Sequence, residues 1–258
     1  MRNAKIVCTL GPASDDRGTI RDLADAGMSV ARLNASHGTT ADRAEVIDRI
    51  RSVDETNEAP LAAMVDLKGP EVRTAPLEEP IRLETGTDVR FPVGSEATPE
   101  SVGLSHSIAA ADPGDTILLD DGRIEATVRS IDGDAVVAHI ESGGKLGGRK
   151  GVNVPGVELD VDLITEQDEQ DIALAAEKEA DFVAASFIRD ASDIYAIADA
   201  LESHGADIPV IAKIERAGAV QNLDEIVDAA YGVMVARGDL GVEMPLEDVP
   251  IIQKRIIR

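Results

Sequence analysis

The sequence predicts an α/β fold on a parallel sheet that is interrupted by a long all-β insertion, and three observations support this prediction. Short apolar runs alternate with amphipathic helical patterns before residue 70 and after residue 156. Apolar runs of this length are typical of strands buried on both faces of a parallel sheet. Two runs, at residues 210–215 and 232–245, stop abruptly at charged residues, as strands do at the catalytic face of α/β proteins. Residues 71–155 show only short strand patterns between Gly, Pro and Asp turns.

The first 70 residues predict three strands and two helices. Strand patterns occupy residues 5–10, 28–33 and 61–67. We expect Ser14 and Asp15 to cap the first helix, which ends at Gly27. We expect Asp42 and Glu45 to form a capping box for the second helix. Strands that alternate with helices in this way imply right-handed βαβ units.

The insertion is predicted to contain short strands and no helix. Its strand patterns lie at residues 81–85, 88–93, 116–122, 125–131 and 135–141. Strand–helix units then resume with a helix capped by Thr165 and Asp168. The later strands are predicted at residues 181–188, 210–215 and 232–237. The predicted domains are residues 1–70 and 156–258, with about six parallel strands together, and the inserted β domain of residues 71–155.

Composition excludes several classes of function. The net charge of -24 argues against nucleic acid or an anionic membrane as a partner, since both require a basic surface. Only 7 of the 25 basic residues are lysine, and an acidic, lysine-poor surface predicts a halophilic protein, the alternative being an ordinary acidic cytosolic one. Cys8 stands alone, so no disulfide framework is expected, and its apolar neighbours predict a buried strand thiol. No run has transmembrane length and the polar N-terminus is unlike a signal peptide, so we expect a cytoplasmic protein.

Charged residues after the later strands suit phosphoryl transfer. Lys213 and Glu215 are separated by one residue, so on an extended strand both side chains face the same way. Glu215 and Asp239 follow adjacent strands and are expected to bind one Mg²⁺, leaving sites open for substrate oxygens. Positive groups and metal ions placed against the moving phosphoryl oxygens are what this chemistry needs. The alternative for Lys213 and Glu215 is a buried ion pair that braces the sheet.

Two further groups carry candidate ligands. Arg32, Asn34 and Ser36 alternate along one segment that is expected to be extended, so they are expected to share a face. Arg32 suits a phosphate, whereas the other two, with Asp66, supply oxygens for a monovalent cation. The alternative is that they are turn residues before a glycine. Residues 238–241 are expected to form a tight turn that opens a short helix, whose bare amides suit an anion.

The motifs also carry a family resemblance. They are KIVCTLGPAS (5–14), ARLNASHG (31–38), DLKGPEVRT (66–74), LLDDG (118–122), GRKGVNVPG (148–156), DFVAASFIRD (181–190), AKIE (212–215) and VARGDLGVE (235–243). In this order they closely resemble the landmarks of pyruvate kinases, from Lys5 to the last residue. The resemblance implies a (β/α)8 TIM barrel with a small β-barrel domain inserted after strand 3. Because six strands rather than eight are found, the sequence resembles the N-terminal portion of such an enzyme, with an incomplete barrel.

The resemblance implies roles for particular residues. Lys213 and Arg32 would be catalytic and would bind substrate, and the former would stabilise the transferred phosphoryl group and the enolate. Glu215 and Asp239 would hold Mg²⁺ or Mn²⁺, and the amides of Gly238 and Asp239 would hold the substrate carboxylate. The implied K⁺ ligands are Asn34, Ser36, Asp66 and the carbonyl of Leu67. The implied nucleotide contacts are Asn34, His37, Arg73, Lys150 and Asp121.

Two positions depart from the common family pattern. Leu67 stands where Thr is common and Ala35 where Phe is common, but a carbonyl ligand survives a change of side chain. Glu71 lies where a glutamate accompanies K⁺-dependent members.

The implied reaction transfers phosphoryl from phosphoenolpyruvate to MgADP, giving pyruvate and ATP in glycolysis, and the complete protein is expected to be a homotetramer. We expect this chain by itself to be inactive. The alternatives are a non-catalytic truncated remnant or paralogue, and an Mg²⁺-dependent lyase or aldolase that acts on an enolpyruvate-type anion.

Overall fold

A computed structural model describes residues 4–257, which divide into two compact units. The first unit comprises the chain up to Gly69 together with Leu163–Ile214 and Asn222–Val235. The second comprises Pro70–Asp162, Glu215–Gln221 and the chain from Ala236 onward.

The helices and strands follow the predicted alternation along the chain. Up to the end of the insertion they are β1 (Ile6–Leu10), α1 (Arg17–Ala26), β2 (Met28–Asn34), α2 (Thr40–Asp54), β3 (Ala62–Asp66), β4 (Ile81–Leu83), β5 (Asp88–Phe91), β6 (Thr116–Leu119), β7 (Ile124–Asp132), β8 (Ala135–Ser142), β9 (Gly144–Leu146) and β10 (Val152–Asn153). After it they are α3 (Glu166–Glu177), β11 (Phe182–Ala185), α4 (Ala191–Ser203), β12 (Val210–Ile214), α5 (Ala217–Gln221), α6 (Leu223–Ala229), β13 (Gly232–Val235), α7 (Arg237–Glu243) and α8 (Val249–Ile256).

The first unit is built on a six-stranded sheet in the order β1-β2-β3-β11-β12-β13, with every pair parallel. This confirms the predicted parallel α/β class and the six strands. The register pairs Asn34 at the end of β2 with Asp66 at the end of β3. Because parallel strands place their carboxyl ends at one edge of a sheet, the carboxyl ends of β2, β3, β11 and β12 lie along a common edge.

The outer strand β1 is more exposed than its apolar sequence predicts. Ile6 and Val7 are 45% and 49% exposed, and Cys8 is only partly buried. The prediction of a buried thiol at Cys8 is therefore wrong. The reason is that β1 pairs only with β2 in the described sheet, so one of its edges has no neighbouring strand.

The start of the first helix was also predicted incorrectly. Asp16, and neither Ser14 nor Asp15, caps α1, and its Oδ1 accepts hydrogen bonds from the amides of Gly18 at 3.0 Å and Thr19 at 3.1 Å. Ser14 instead pairs with the Gly11 backbone. Because the cap lies one residue later than Asp15, the helix begins at Arg17, and the Asp16 carboxylate accepts hydrogen bonds from unpaired amides of its first turn.

Capping boxes begin the next two long helices. In α2 the box joins Thr39 with Asp42, so the predicted partner Glu45 is wrong and Asp42 is the third helical residue rather than the cap. In α3 the predicted pair Thr165 and Asp168 is confirmed as a capping box. Such a box satisfies two orphan amides reciprocally.

The insertion is all β, as predicted, and none of residues 71–155 lies in a helix. Its main sheet is antiparallel in the order β10-β6-β7-β8-β5, with β4 and β9 as a separate pair. The alternating inward positions of these strands form one apolar core in which Phe91, Ile117 and Ile140 are fully buried.

No helix within residues 4–257 combines the length and the apolar character that crossing a bilayer would require.

Candidate active site

Three charged side chains meet at the carboxyl edge of the sheet in the first unit. Arg32 lies on β2, Asp66 ends β3 and Lys213 lies on β12. The Arg32 Nε donates to Asp66 Oδ2 at 2.6 Å, and the Arg32 Nη2 pairs with the same oxygen. The Lys213 Nζ lies 3.3 Å from the other oxygen, Oδ1. Asp66 is 0% exposed, so two cations share one fully buried carboxylate.

The contact between Lys213 and Asp66 is an ion pair without hydrogen-bond geometry. Although 3.3 Å is close enough for Coulombic attraction, Asp66 Oδ1 accepts no hydrogen bond from the described residues. The Lys213 Nζ instead donates to Ser186 Oγ at 2.6 Å, and the Ser186 hydroxyl donates to the Leu67 carbonyl at 2.7 Å. Sequence reasoning missed Ser186, although it comes directly after a buried strand, where functional polar residues are common.

The segment after β2 is a turn, so the prediction that Ser36 continues one extended segment with Arg32 and Asn34 is wrong, whereas these two residues both lie in β2. The strand ends at Asn34, whose Oδ1 accepts a hydrogen bond from the Ser36 amide at 3.0 Å. The Ala35 amide donates to the Asp66 carbonyl at 2.9 Å, which holds this turn beside the end of β3. Amide, hydroxyl, carboxylate and carbonyl oxygens are thus offered on adjacent strand ends, and this donor chemistry fits a hard cation such as K⁺.

A cleft of about 930 Å³ lies beside this turn in the first unit. Asn34 and His37 line it, together with residues 9–15 and the first half of α2. The His37 carbonyl accepts a hydrogen bond from Arg43 Nη1 at 2.9 Å, and Arg43 is itself held by the buried Asp171 at 2.5 Å. This ion pair fixes the wall of the cleft. Sequence reasoning missed it because Arg43 and Asp171 are 128 residues apart.

In the second unit, Arg73 and Lys150 lie on neighbouring segments. An isolated bridge pairs Arg73 with Gly151, the residue after Lys150. The Arg73 Nε donates to Glu71 Oε2 at 2.9 Å, whereas the Lys150 Nζ pairs with Asp120 Oδ1 at 2.8 Å. Each of these two predicted nucleotide contacts therefore has its own carboxylate partner.

Asp120 is the carboxylate that contacts Lys150, whereas its neighbour Asp121, a predicted nucleotide contact, is exposed. The hydrogen bond from Lys150 lowers the pKa of Asp120, and the charge of Arg123 contributes further to the lowering. Asp120 and Asp121 both have positive φ, at 51° and 57°. This left-handed turn buries the first side chain and exposes the second.

The predicted metal ligands Glu215 and Asp239 both belong to the second unit. Glu215 directly follows β12 and is buried, whereas Asp239 lies exposed in the first turn of α7. Within residues 4–257 no three His, Cys, Asp or Glu side chains group to hold a metal ion. Two carboxylates nevertheless fit Mg²⁺, which commonly keeps waters and substrate oxygens as its other ligands.

The glycines near Asp239 lie in the helix, so the predicted turn is wrong. Gly238 and Gly241 both belong to α7, which begins at Arg237. The amides of Gly238 and Asp239 therefore belong to the first turn, where backbone N–H groups have no partner within the helix. A Cβ on Gly241 would lie 2.7 Å from the Cδ2 methyl of Leu246, an exposed side chain that can move aside.

At the end of α7, Glu243 accepts hydrogen bonds from the backbone amides of Ala217 and Gly156. Burial raises its pKa, and the charge of Arg216 offsets part of this effect. Sequence reasoning did not single out Glu243, since its partners lie far from it in the chain.

Comparisons with known proteins identify the origin of these motifs. A family model described as "Pyruvate kinase, barrel domain" matches residues 1–258. The chain is 44% identical to a pyruvate kinase of Staphylococcus aureus and to one of Geobacillus stearothermophilus, in both cases over 100% of this chain. It is 42% identical to plastidial pyruvate kinase 2 of Arabidopsis thaliana over 99% of this chain. The chain spans 45% of the length of each of these relatives.

Proposed function

Because the chain belongs to the pyruvate kinase family, we propose that it carries the residues for phosphoryl transfer from phosphoenolpyruvate to MgADP, giving pyruvate and ATP in glycolysis. The observation that carries this proposal is the pair of cations, Arg32 and Lys213, on the buried carboxylate of Asp66. Phosphoryl transfer depends mainly on positioning and on charge, and a fixed pair of cations supplies both.

Lys213 is the proposed catalytic cation, and Arg32 binds the phosphoryl group beside it. Asp66 keeps the two positive groups close together although they would repel each other in its absence. Since Arg32 also donates to the Thr9 hydroxyl at 2.7 Å, its guanidinium is held from two sides. Cations held in this way require little reorganisation when negative charge develops on the substrate.

The proposed metal ligands are the carboxylates of Glu215 and Asp239 for Mg²⁺ or Mn²⁺. When bound, such an ion neutralises charge on the phosphoryl oxygens. The amides of Gly238 and Asp239 are proposed to hold the substrate carboxylate. Asn34, Ser36, Asp66 and the Leu67 carbonyl are proposed to hold K⁺, in agreement with the oxygen donors on the ends of β2 and β3.

The proposed nucleotide contacts are Asn34 and His37 in the first unit and Arg73, Lys150 and Asp121 in the second. The cleft lined by the first two is large enough for a nucleotide, since ligand pockets typically have roughly 300–1,000 Å³. Arg73 and Lys150 are proposed to contribute positive charge for nucleotide phosphates.

The proposed domains are residues 1–70 and 156–258 as parts of a (β/α)8 barrel and residues 71–155 as a small β-barrel. We also propose a cytoplasmic homotetramer for the whole enzyme.

Substitution of Lys213 tests this function. In the full-length enzyme, Lys213→Met should lower kcat far more than it raises the KM for phosphoenolpyruvate, because the charge matters most in the transition state. Lys178→Met is the matched control, since Lys178 forms an ion pair with Asp48 on the surface of the first unit. Pyruvate formation by Lys213→Met at the rate of this control would contradict the proposal.

A further inference from the structure

We propose that Ser186 is a positioning residue that holds the Lys213 ammonium in place by anchoring it to the Leu67 carbonyl. This inference rests on the proposed role of Lys213 in phosphoryl transfer. Ser186 is 4% exposed and lies directly after β11, between the ends of β3 and β12 in the sheet order. Its hydroxyl joins these two neighbouring segments through two hydrogen bonds, one to Leu67 and one from Lys213.

The direction of this hydrogen-bond chain follows from the groups that form it. A carbonyl oxygen only accepts, so the single O–H of Ser186 must donate to Leu67 at 2.7 Å. The remaining lone pairs of Ser186 Oγ then accept from Lys213 Nζ at 2.6 Å. Because each hydrogen bond polarises the next, the two are expected to strengthen each other. The Leu67 carbonyl thus sets the orientation of the hydroxyl that receives the ammonium.

Asp66 cannot take over this role. Its Oδ1 attracts Lys213 across 3.3 Å but receives no hydrogen bond from the described residues. A Coulombic attraction restrains the distance between two groups and only weakly restrains the direction of an N–H bond. Between these two residues, Asp66 therefore supplies negative charge, whereas Ser186 supplies a directed hydrogen bond.

The backbone around Ser186 holds its hydroxyl in one place. The Leu67 amide donates to the Ala184 carbonyl at 2.9 Å, which ties the two segments together just before Ser186. The next residue, Phe187, has a positive φ of 59°, a conformation that is uncommon for a bulky residue. A Cβ on Gly69 would come within 2.7 Å of the Phe187 ring and 3.0 Å of Ser186 Cβ. The segment after β3 thus packs directly against Ser186. Backbone strain such as the positive φ of Phe187 is typical of functional sites.

Two readouts test the proposal, beginning with the chain itself. Limited acetylation followed by peptide mass spectrometry reports the reaction of each of the seven lysines. Ser186→Ala should increase the rate of labelling at Lys213 relative to Lys178, because the ammonium loses its hydrogen bond to Ser186. Ser203→Ala is the matched control, since Ser203 Oγ also donates to a backbone carbonyl, that of Ala200, at 2.7 Å.

The second readout is the division between kcat and KM in the full-length enzyme. A displaced catalytic group costs up to about 100-fold in rate, so Ser186→Ala should lower kcat about tenfold to 100-fold. The KM for phosphoenolpyruvate should change much less. Ser186→Cys fills a similar space, but its thiol is only a weak donor and acceptor. If the hydrogen bonds matter, this variant should behave like Ser186→Ala. The comparison therefore separates the loss of the hydrogen bonds from the loss of packing.

The outcomes distinguish this inference from the proposed function. Labelling of Lys213 and a kcat that both match the Ser203→Ala control would overturn the role of Ser186. The role of Ser186 would also be overturned if Ser186→Cys showed the wild-type kcat and labelling of Lys213 while only Ser186→Ala differed. Packing alone would then explain the effect. If Lys213→Met is active, the proposed function fails, and the labelling result still decides whether Ser186 holds the ammonium.

Discussion

In the first unit Arg32 and Lys213 share one carboxylate with no exposed surface, whereas in the second unit Arg73 and Lys150 each pair with a separate carboxylate closer to the surface. The side chains of Arg32 and Lys213 are 22% and 12% exposed, against 33% and 39% for Arg73 and Lys150. The shared buried carboxylate holds its cations rigidly, and removing one partner of a buried ion pair is strongly destabilising. Partly exposed pairs are weaker and exchange partners at little cost. The first arrangement suits a catalytic centre and the second suits groups that bind and release phosphates.

The largest expected effect is the loss of the shared carboxylate. Asp66→Asn keeps the size of the side chain but removes the negative charge that Arg32 and Lys213 share. Breaking a buried pair in this way costs about 3–5 kcal/mol, and we expect a loss in the free energy of unfolding of this order in urea titrations. Asp121→Asn, at an exposed position, should change the free energy of unfolding by less than about 0.5 kcal/mol. Similar values for the two variants would show that burial does not distinguish the two regions.

Salt provides the next test of the comparison. Because the net charge is -24, the negative side chains of the folded protein repel one another at low ionic strength. Raising KCl from 0.1 M toward 1 M screens this repulsion, because the Debye length falls from about 10 Å to about 3 Å. We expect the melting temperature to rise over this range. The loss in the free energy of unfolding caused by Asp66→Asn should stay constant over the same range of KCl, because salt screens buried ion pairs much less than exposed ones. A melting temperature that is flat or falls would argue against the halophilic interpretation.

The smallest expected effect concerns the second unit. Asp120→Asn removes the partner of Lys150 and should lower the free energy of unfolding by about 1 kcal/mol at pH 7, as expected for a partly exposed pair. The pKa of Asp120 is lowered in the folded protein, so its contribution is complete above the unfolded value near 3.8 and is lost as the pH falls through the folded value. The difference between wild type and variant, measured by denaturation from pH 7 downward, should therefore persist to about pH 4 and vanish only in stronger acid. A difference that disappears between pH 7 and 5 would mean that another group is responsible.

The amino-acid sequence by itself determined the features that depend on local patterns. Apolar runs predicted the six parallel strands, and the turn-rich alternation predicted the all-β insertion, because side-chain periodicity reflects burial on a strand or a helix. The capping box of Thr165 and Asp168 was also predicted, since its two partners are three residues apart. The site residues were assigned by position in motifs, and their roles stay predictions.

Only the tertiary structure decided which of these side chains contact each other. Ser186 meets Leu67 across 119 residues and Lys213 across 27, and no local pattern records either distance along the chain. Whether Asp120 or Asp121 pairs with Lys150 depends on two left-handed residues, and the position of Ser36 depends on a turn that begins where β2 ends. Strand register and turn geometry settle such contacts because a shift of one residue turns a side chain to the opposite face.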